Sequence, residues 1–407
     1  MKINTDPKII DEILSRSIKT IYPSKESLKT ELLSGRQLRI YVGIDPTAIY
    51  VHIGHSTNYI LLQKFHELGH KIIVLIGDFT AMIGDPSDKT SLRKKLSFKE
   101  VRENLKTFRQ QIGKIVKLND KKNPVQFSFN SKWLTKLSFG EVMGLASNFT
   151  VQQMIERDAF QKRIRENKPL YLHEFFYPLM QGYDSVAMDV DIEIGGTDQI
   201  FNMLAGRILV KNLQKREKFV IATTLLENPA TGEKLMSKSL GTGIALNDSP
   251  SDMYGKTMRL PDEAIAQCFI DCTFWSLNKI NKKMSTVKNG SLGYRDFKML
   301  LAYEIVKIYH GEKKAKIAQE SFINTFQKKE VDIETIPEIE TSSGELLVEI
   351  LLRNKSIASK GEFRRLLTEG AIHNISTKER VTDPHLKITN ESAFKIGKKR
   401  FIKIVIK

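Results

Sequence analysis

Cysteine is nearly missing from this chain: Cys268 and Cys272 are the only two in 407 residues, which excludes a disulfide framework. Their spacing of four sets them on one helix face near Ile265 and Phe269, as two small core residues. A structural zinc site takes about four ligands, so no metal is expected here. Long apolar runs are missing too. No stretch approaches the ~18 consecutive apolar residues of a membrane span. The opening MKINTDPKII lacks the apolar run of a secretory signal. No internal repeat or low-complexity tract occurs. These absences point to a reducing cytoplasm and away from a membrane.

What is present is length, apolar content and positive charge. A 407-residue chain with 41% apolar residues can build two or three domains, each with a proper core. The formal charge of +17 favours a polyanionic partner, nucleic acid ahead of a membrane surface. A Lys-rich genome would leave the same solvated basic surface, so charge alone does not decide.

The N-terminal half alternates strand-like and helix-like runs. Leu38–Ile44 is a short apolar run that leads into Asp45 and Pro46. A helical pattern follows from about Ser56, with Ile60, Leu61, Phe65 and Leu68 inward and Gly69 as its stop. Lys71–Gly77 is a continuous β-branched run, as in a strand buried on both faces. Asp189–Ile194 and Phe219–Leu226 read as further strands, with a helix between them from about Gln199. The alternation predicts a parallel sheet covered by helices, with ligands beyond the carboxyl ends of its strands. From Ser249 to about Gln327 the pattern is helical: one helix begins at Pro261, and two more cover Tyr294–His310 and Glu312–Phe326. Lys328–Gly344 is polar and acidic and reads as a linker. Glu345–Lys407 is compact and basic, with 14 Lys and Arg against 7 Asp and Glu, a balance of +7.

Two constellations carry chemistry. The first is Tyr41-Val-Gly-Ile-Asp-Pro-Thr47 followed by His52-Ile-Gly-His55, at a strand end and a helix start. Gly43 and Gly54 let backbone approach a ligand closely. Donors at a helix N-terminus suit a phosphate, and imidazole can stabilise charge on a phosphoryl oxygen. Taken alone, His-x-x-His also fits a surface pair or half of a metal site. The second is Lys234-Leu-Met-Ser-Lys-Ser239 in a Gly-rich stretch, where a loop can bring lysine onto a pyrophosphate leaving group. Two lysines in a loop are more often solvated charges.

The pair, about 180 residues apart on an α/β background, is more specific than either part. His52–His55 and Met236–Ser239 resemble the two signatures of class I aminoacyl-tRNA synthetases. The stretches Gly43–Ala48, Ile76–Pro86, Tyr177–Asp184 and Gly195–Gln199 resemble the bacterial tyrosyl-tRNA synthetases. The likeness runs from about Tyr41 to Leu246 and resumes in the tail. It implies an α/β fold: a Rossmann-like parallel-sheet catalytic domain, residues 1–246, with a dimerisation insertion near Lys132–Leu172. An α-helical tRNA-binding domain, 247–327, would follow, then the linker 328–344 and a small α+β module, 345–407.

The resemblance also implies roles. His52, His55, Lys238 and Thr47 would act on the reacting phosphate. Gly43, Asp45, Gly54, Asp198, Lys234, Met236, Ser237 and Lys238 would hold ATP, with Asp198 at the ribose or the α-amino side. Tyr177 and Gln181 would face the amino group of tyrosine, with Asp85 as a carboxylate for the ammonium. Tyr41 and Asp184 would read the phenol hydroxyl, and Gln199 would face the bound tyrosine or its adenylate. Spacings of four and three already put Tyr177, Gln181 and Asp184 on one helix face. ATP would be a substrate with Mg²⁺, with no tightly bound cofactor and no zinc. The partners implied are tRNA(Tyr), L-tyrosine, ATP and a second copy of the chain. Two departures from the family pattern stand out. Leu235 occupies the usual lysine position, with Lys234 one residue earlier, and Asp88 replaces a glycine.

In the tail, Ser359–Gly370 and Ile396–Phe401 resemble the S-four RNA-binding module. Lys360, Arg364 and Arg365 would meet phosphates from one helix face, joined by Lys398, Lys399 and Arg400. Two other readings remain: a tryptophan-specific class I ligase, whose pocket must partner an indole N–H, and a non-catalytic RNA-binding relative. Tyr41 with Asp184 argues against the first, and intact His52, His55 and Lys238 against the second.

Overall fold

The computed structural model describes residues 2–88, 96–236, 243–326, 336–375, 377, 379–397 and 400–406. They fall into two compact units, Met1–Lys316 and Ile317–Lys407.

The first unit is built on a six-stranded sheet. Its strands are β1 (Ile18–Tyr22), β2 (Arg39–Ile44), β3 (Lys71–Ile76), β4 (Gln126–Phe129), β5 (Ile192–Gly196) and β6 (Phe219–Thr223). The spatial order is β1-β6-β5-β2-β3-β4. The strands β2 to β6 run parallel, each in register with its neighbour. β1 closes one edge antiparallel to β6, so the sheet is mixed where sequence predicts a parallel one. The runs expected as strands all contribute, but β1 and β4 were not anticipated. β1 is a partly exposed edge strand of five residues and β4 has only four, too short to show a period against their flanks.

Helices follow the parallel strands. α1 (Ile53–Glu67) crosses from β2 to β3, and Gly69, at φ +99°, turns the chain after it. α2 (Leu172–Ala187) and α3 (Ile200–Gln214) flank β5 in the chain. They meet closely because Gly182 faces α3: a Cβ there would stand 3.1 Å from the Gly206 amide nitrogen. From β2 the chain winds outward through β3 and β4, then returns to place β5 on the other side of β2. The carboxyl ends of β2 and β5 thus flank a topological switch point, where a crevice opens. Beneath it lie Tyr41, Ile73, Leu75, Met188 and Val190 as one buried cluster.

The helical stretch after residue 246 includes α4 (Pro250–Met258), α5 (Ile265–Cys272) and α6 (Tyr294–His310). Pro261 precedes a short 3-10 turn that leads into α5. A break at 246 was expected, but the stretch packs into the same unit as the sheet. α5 lies on α1, where the Cys272 thiol meets the Ile53 carbonyl at 3.8 Å. Buried Arg16 binds the carbonyls of Phe269, Thr273 and Trp275. Ser56 of α1 bonds the Tyr309 hydroxyl at 2.5 Å. Both cysteines are fully buried free thiols, and burial pushes the Cys272 thiol well up. Among the described residues no helix is long and apolar enough to cross a membrane.

The second unit has its own four-stranded sheet: β7 (Glu338–Thr341), β8 (Ile372–Asn374), β9 (Ser392–Ile396) and β10 (Arg400–Ile406), ordered β7-β10-β9-β8. α7 (Lys360–Thr368) and the helix Leu347–Arg353 complete a core around Leu351, Phe363, Ile372, Phe394 and Ile404. The stretch expected as a linker, 328–344, therefore contributes a strand. β7 pairs in parallel with β10, burying Ile339 and Thr341 and exposing Glu338 and Glu340. Its acidic composition hides a period-two alternation.

Candidate active site

A cavity of about 330 Å³ occupies the switch point. The residues expected at a site that fall within the described part of the first unit line it: Tyr41, Gly43, Asp45, Thr47, His52, Gly54, His55, Asp85, Tyr177, Gln181, Asp184, Asp198, Gln199, Lys234 and Met236. Ser237 and Lys238 lie outside the described residues.

β2 ends at the cavity and delivers Gly43 and Asp45. Asp45 accepts from the Tyr177 hydroxyl and from Thr80 Oγ1, each at 2.7 Å. Gly77, the residue after β3, is required by this contact. A Cβ there would stand 1.9 Å from Asp45 Oδ1.

The helix start comes next. His52 is the N-cap of α1, and its amide donates to His55 Nδ1 at 3.3 Å. The two imidazoles stack with centroids 3.8 Å apart. Gly54 keeps that corner open, since a Cβ would lie 3.0 Å from His52 Nδ1 and 3.3 Å from Met236 Cγ. The chain is fastened on both sides of the second signature. Leu235 N–H donates to Leu226 O at 3.0 Å, Ile53 N–H to Ile244 O at 2.9 Å, and Leu246 N–H to Val51 O at 2.8 Å. Stacked imidazoles at a helix N-terminus are suited to a phosphate.

The deep end of the cavity is acidic. Asp184 on α2 is only 2% exposed. Its carboxylate accepts from Trp133 Nε1 at 2.7 Å and Asn130 Nδ2 at 3.3 Å. Burial nevertheless holds its carboxyl well above the usual range, with the charge of Glu193 adding to the effect. The Tyr41 hydroxyl sits 3.0 Å from Ser185 Oγ, and burial pushes its phenol well up, so it stays neutral and able to donate. Asp85 lies elsewhere on the wall, held by Gln199 Nε2 and Ser87 Oγ at 2.7 Å and by Arg157 at 3.6 Å.

Sequence reasoning missed a buried ion pair. Glu193 on β5 also lines the cavity, and Lys218, beside the start of β6, donates to it from a fully buried position. Burial pulls the lysine below its ordinary value, and the charge of Glu193 offsets only part of that. Gln181 Nε2 donates to the other oxygen of Glu193 at 3.0 Å. Trp133, Asn130, Ser185 and Arg157 were missed as well. They are scattered along the chain with no local period. Glu193, as a carboxylate inside an otherwise apolar strand, did carry a signal.

In the second unit, Lys360, Arg364 and Arg365 project exposed from α7. Lys360 pairs with Glu349 at 2.6 Å and Arg365 with Glu369 at 3.8 Å. Arg400 binds Glu362 at 2.8 Å and ties β10 to α7. Lys398 and Lys399 lie outside the described residues.

Residues 33–327 match the family model of class I tRNA synthetases for W and Y. The chain is 42% identical to the tyrosine–tRNA ligase of Carboxydothermus hydrogenoformans, covering 97% of each. It is 42% identical to that of Haemophilus influenzae over 97% of this chain and 94% of the relative. It is also 40% identical to tyrosine–tRNA ligase 2 of Clostridium acetobutylicum, over 98% of this chain and 100% of the relative. The fold matches a C-terminally truncated mitochondrial tyrosyl-tRNA synthetase of Aspergillus nidulans, with TM-score 0.67 and 23% identity, over 78% of this chain and 94% of that one. It also matches the Archaeoglobus fulgidus synthetase solved with L-tyrosine, with TM-score 0.61 and 20% identity, over 77% and 100%. A crevice with paired histidines and a buried acidic end, on a chain this similar to its relatives along nearly their whole length, leaves one assignment: the chain belongs to the tyrosine–tRNA ligases, class I aminoacyl-tRNA synthetases.

Proposed function

We propose that the chain activates L-tyrosine with ATP and transfers it to the 3′-terminal adenosine of tRNA(Tyr). One observation carries the reading most strongly: the switch-point cavity joins the stacked His52–His55 pair to a buried Tyr41 and Asp184. The first end suits a triphosphate and the second a phenol.

In the first step the tyrosine carboxylate attacks the α-phosphate of ATP and pyrophosphate leaves. In the second, a ribose hydroxyl of the tRNA attacks the activated carbonyl and AMP leaves. No side-chain nucleophile is required. The protein positions the reactants and stabilises charge on the phosphorus. His52, His55, Lys238 and Thr47 supply that charge stabilisation. Gly43, Asp45, Gly54, Asp198, Lys234, Met236 and Ser237 hold the nucleotide. Asp85, Tyr177 and Gln181 receive the tyrosine ammonium, Gln199 faces the substrate, and Tyr41 with Asp184 reads its hydroxyl. Phenylalanine would deny Tyr41 and Asp184 the further hydrogen bonds that the phenol hydroxyl supplies. Magnesium would enter with ATP and be held mainly by its phosphate oxygens. Among the described residues no cluster of three His, Cys, Asp or Glu is placed to bind a metal.

The enzyme works in the cytoplasm as a homodimer. Support for the dimer is an exposed apolar set within 132–172: Phe139 at 80%, Leu172 at 74% and Val151 at 66% exposure. The helical stretch after residue 246 and the basic S-four-like tail serve the tRNA, as the exposed Lys360, Arg364 and Arg365 suggest by their charge. The deciding experiment is ATP–pyrophosphate exchange with each of the twenty amino acids. Exchange with tyrosine alone is expected. Exchange driven by tryptophan, or by no amino acid, would refute the reading.

A further inference from the structure

We propose that Glu193, with Lys218 as its counter-ion, is a positioning residue that fixes the orientation of the Gln181 amide, so that its carbonyl oxygen and not its NH₂ meets the substrate ammonium. The inference rests on the placement of the ammonium at Gln181 given above.

An ionised carboxylate can only accept hydrogen bonds. Because Glu193 Oε1 lies 3.0 Å from Gln181 Nε2, the NH₂ end of the amide must point to Glu193. The carbonyl oxygen is then the end left for a ligand, and an ammonium needs an acceptor. Were the amide reversed, two N–H dipoles would face a cation.

The arrangement depends on an acceptor-only group at this position. A group able to donate in its place, such as a glutamine amide, could bond the Gln181 carbonyl and turn the amide round. Glu193 is 2% exposed, so it needs a cation beside it. Lys218, 0% exposed, supplies one. Its Nζ is held between Glu193 Oε2 and the Met203 carbonyl, the latter at 3.2 Å. Gly206 makes room for it, since a Cβ there would stand 2.5 Å from Lys218 Nζ. The same Oε2 also accepts from Ser185 Oγ at 3.4 Å, and Ser185 Oγ lies 3.0 Å from the Tyr41 hydroxyl. One carboxylate thus reaches the ammonium side through Gln181 and the phenol side through Ser185.

The test separates positioning from mere support. Full-length wild type, Glu193→Gln and the double variant Glu193→Gln/Lys218→Met are compared. The double variant leaves no unpaired buried lysine and so guards against misfolding, which thermal unfolding checks. Two probes are used: L-tyrosine, and 3-(4-hydroxyphenyl)propionate, the same molecule without its amino group, as a competitive inhibitor of exchange. Loss of an oriented acceptor for a charged donor should weaken tyrosine about tenfold or more in both variants. The deaminated acid should change by less than about twofold, because it never used that acceptor. The KM for ATP should stay near wild type. Equal weakening of both probes, or no weakening of tyrosine, overturns the proposal. Gln181→Met is run alongside. If it too fails to weaken tyrosine selectively, the ammonium is not at Gln181 and the site reading itself is wrong. If it does so while the Glu193 variants do not, only the orienting role falls.

Discussion

Gly77→Ala is the sharpest perturbation available in the crevice, because its consequence can be worked from distances. The added Cβ would stand 1.9 Å from Asp45 Oδ1 and 2.4 Å from Thr80 Oγ1. Ordinary contact is about 3.5–4 Å, so Asp45 must move by well over an ångström. It cannot turn freely. Its two oxygens are held by Thr80 and Tyr177 at 2.7 Å each. Thr80 Oγ1 in turn accepts from Asn130, which also holds Asp184. The strain therefore reaches both Asp45 and Asp184 in the wall of the cavity. Overpacking of this kind costs about 1–3 kcal/mol of stability, which lowers Tm by several degrees at about 2–4 °C per kcal/mol. Asp45 is half-buried, so water can satisfy it after it moves. The larger effect falls on catalysis, where a misplacement of about 1 Å costs about 10²-fold. The assay is pyrophosphate exchange at saturating tyrosine with ATP varied, on protein shown to be folded by circular dichroism. A kcat/KM for ATP lower by about 10²-fold is expected. Adding Thr80→Ala should not restore it, since the closer contact is with Asp45. Activity within about twofold of wild type would show that Asp45 has no positional role, and the argument from the missing Cβ would fail.

Four further outcomes are expected. Tyr41→Phe should lose about 0.5–1.5 kcal/mol of preference for tyrosine over phenylalanine, read from the ratio of kcat/KM values; an unchanged ratio removes Tyr41 from the phenol site. Lys238→Ala should slow adenylate formation in single turnover while leaving tyrosine affinity nearly intact, and greater damage from Lys234→Ala would exchange the roles of the two lysines. His70 is fully buried, accepts from the Leu38 amide at 3.2 Å, and is pulled down to about 4 by burial. The folded state resists its protonation, so its contribution is whole above the unfolded value near 6.5 and is lost as pH falls from there through about 4. That loss is on the order of 3 kcal/mol, and His70→Asn should flatten this window in unfolding measured at pH 7.5 and 4.5; an equal fall in both proteins would refute it. A chain ending at Phe326, which removes β7 with the rest of its sheet, should keep pyrophosphate exchange and lose tRNA charging, and unimpaired charging would exclude the tail from RNA binding.

How far the site was legible depends on which force places each residue. Tyr177, Gln181 and Asp184 were legible because helix period alone sets them on one face, and the cavity receives all three. His52 and Gly54 were legible because a strand end, a glycine and a helix start follow each other within a few residues. The long helix Tyr294–His310 was read to its ends, since its apolar period is sustained and Gly311, at φ +85°, ends it. The misses have another character. Trp133 and Asn130 reach Asp184 from 51 and 54 residues away in the chain, an encounter that only sheet order creates. β7 reads as a linker in the sequence because its charge masks its alternation, although its two glutamates simply mark the solvent face. Lys218 is the most instructive case. A lysine beside a strand reads as a surface charge, and nothing within β6 says otherwise. Its burial follows from Glu193 on the neighbouring strand, where the register sets Glu193 opposite Val220. A carboxylate in the apolar run Ile192–Ile194 is costly unless a cation joins it, so the acid predicts a partner even though the sequence does not say which one. Buried charge inside a central strand is thus a readable sign of a built site, and the fold supplies only the identity of the counter-ion.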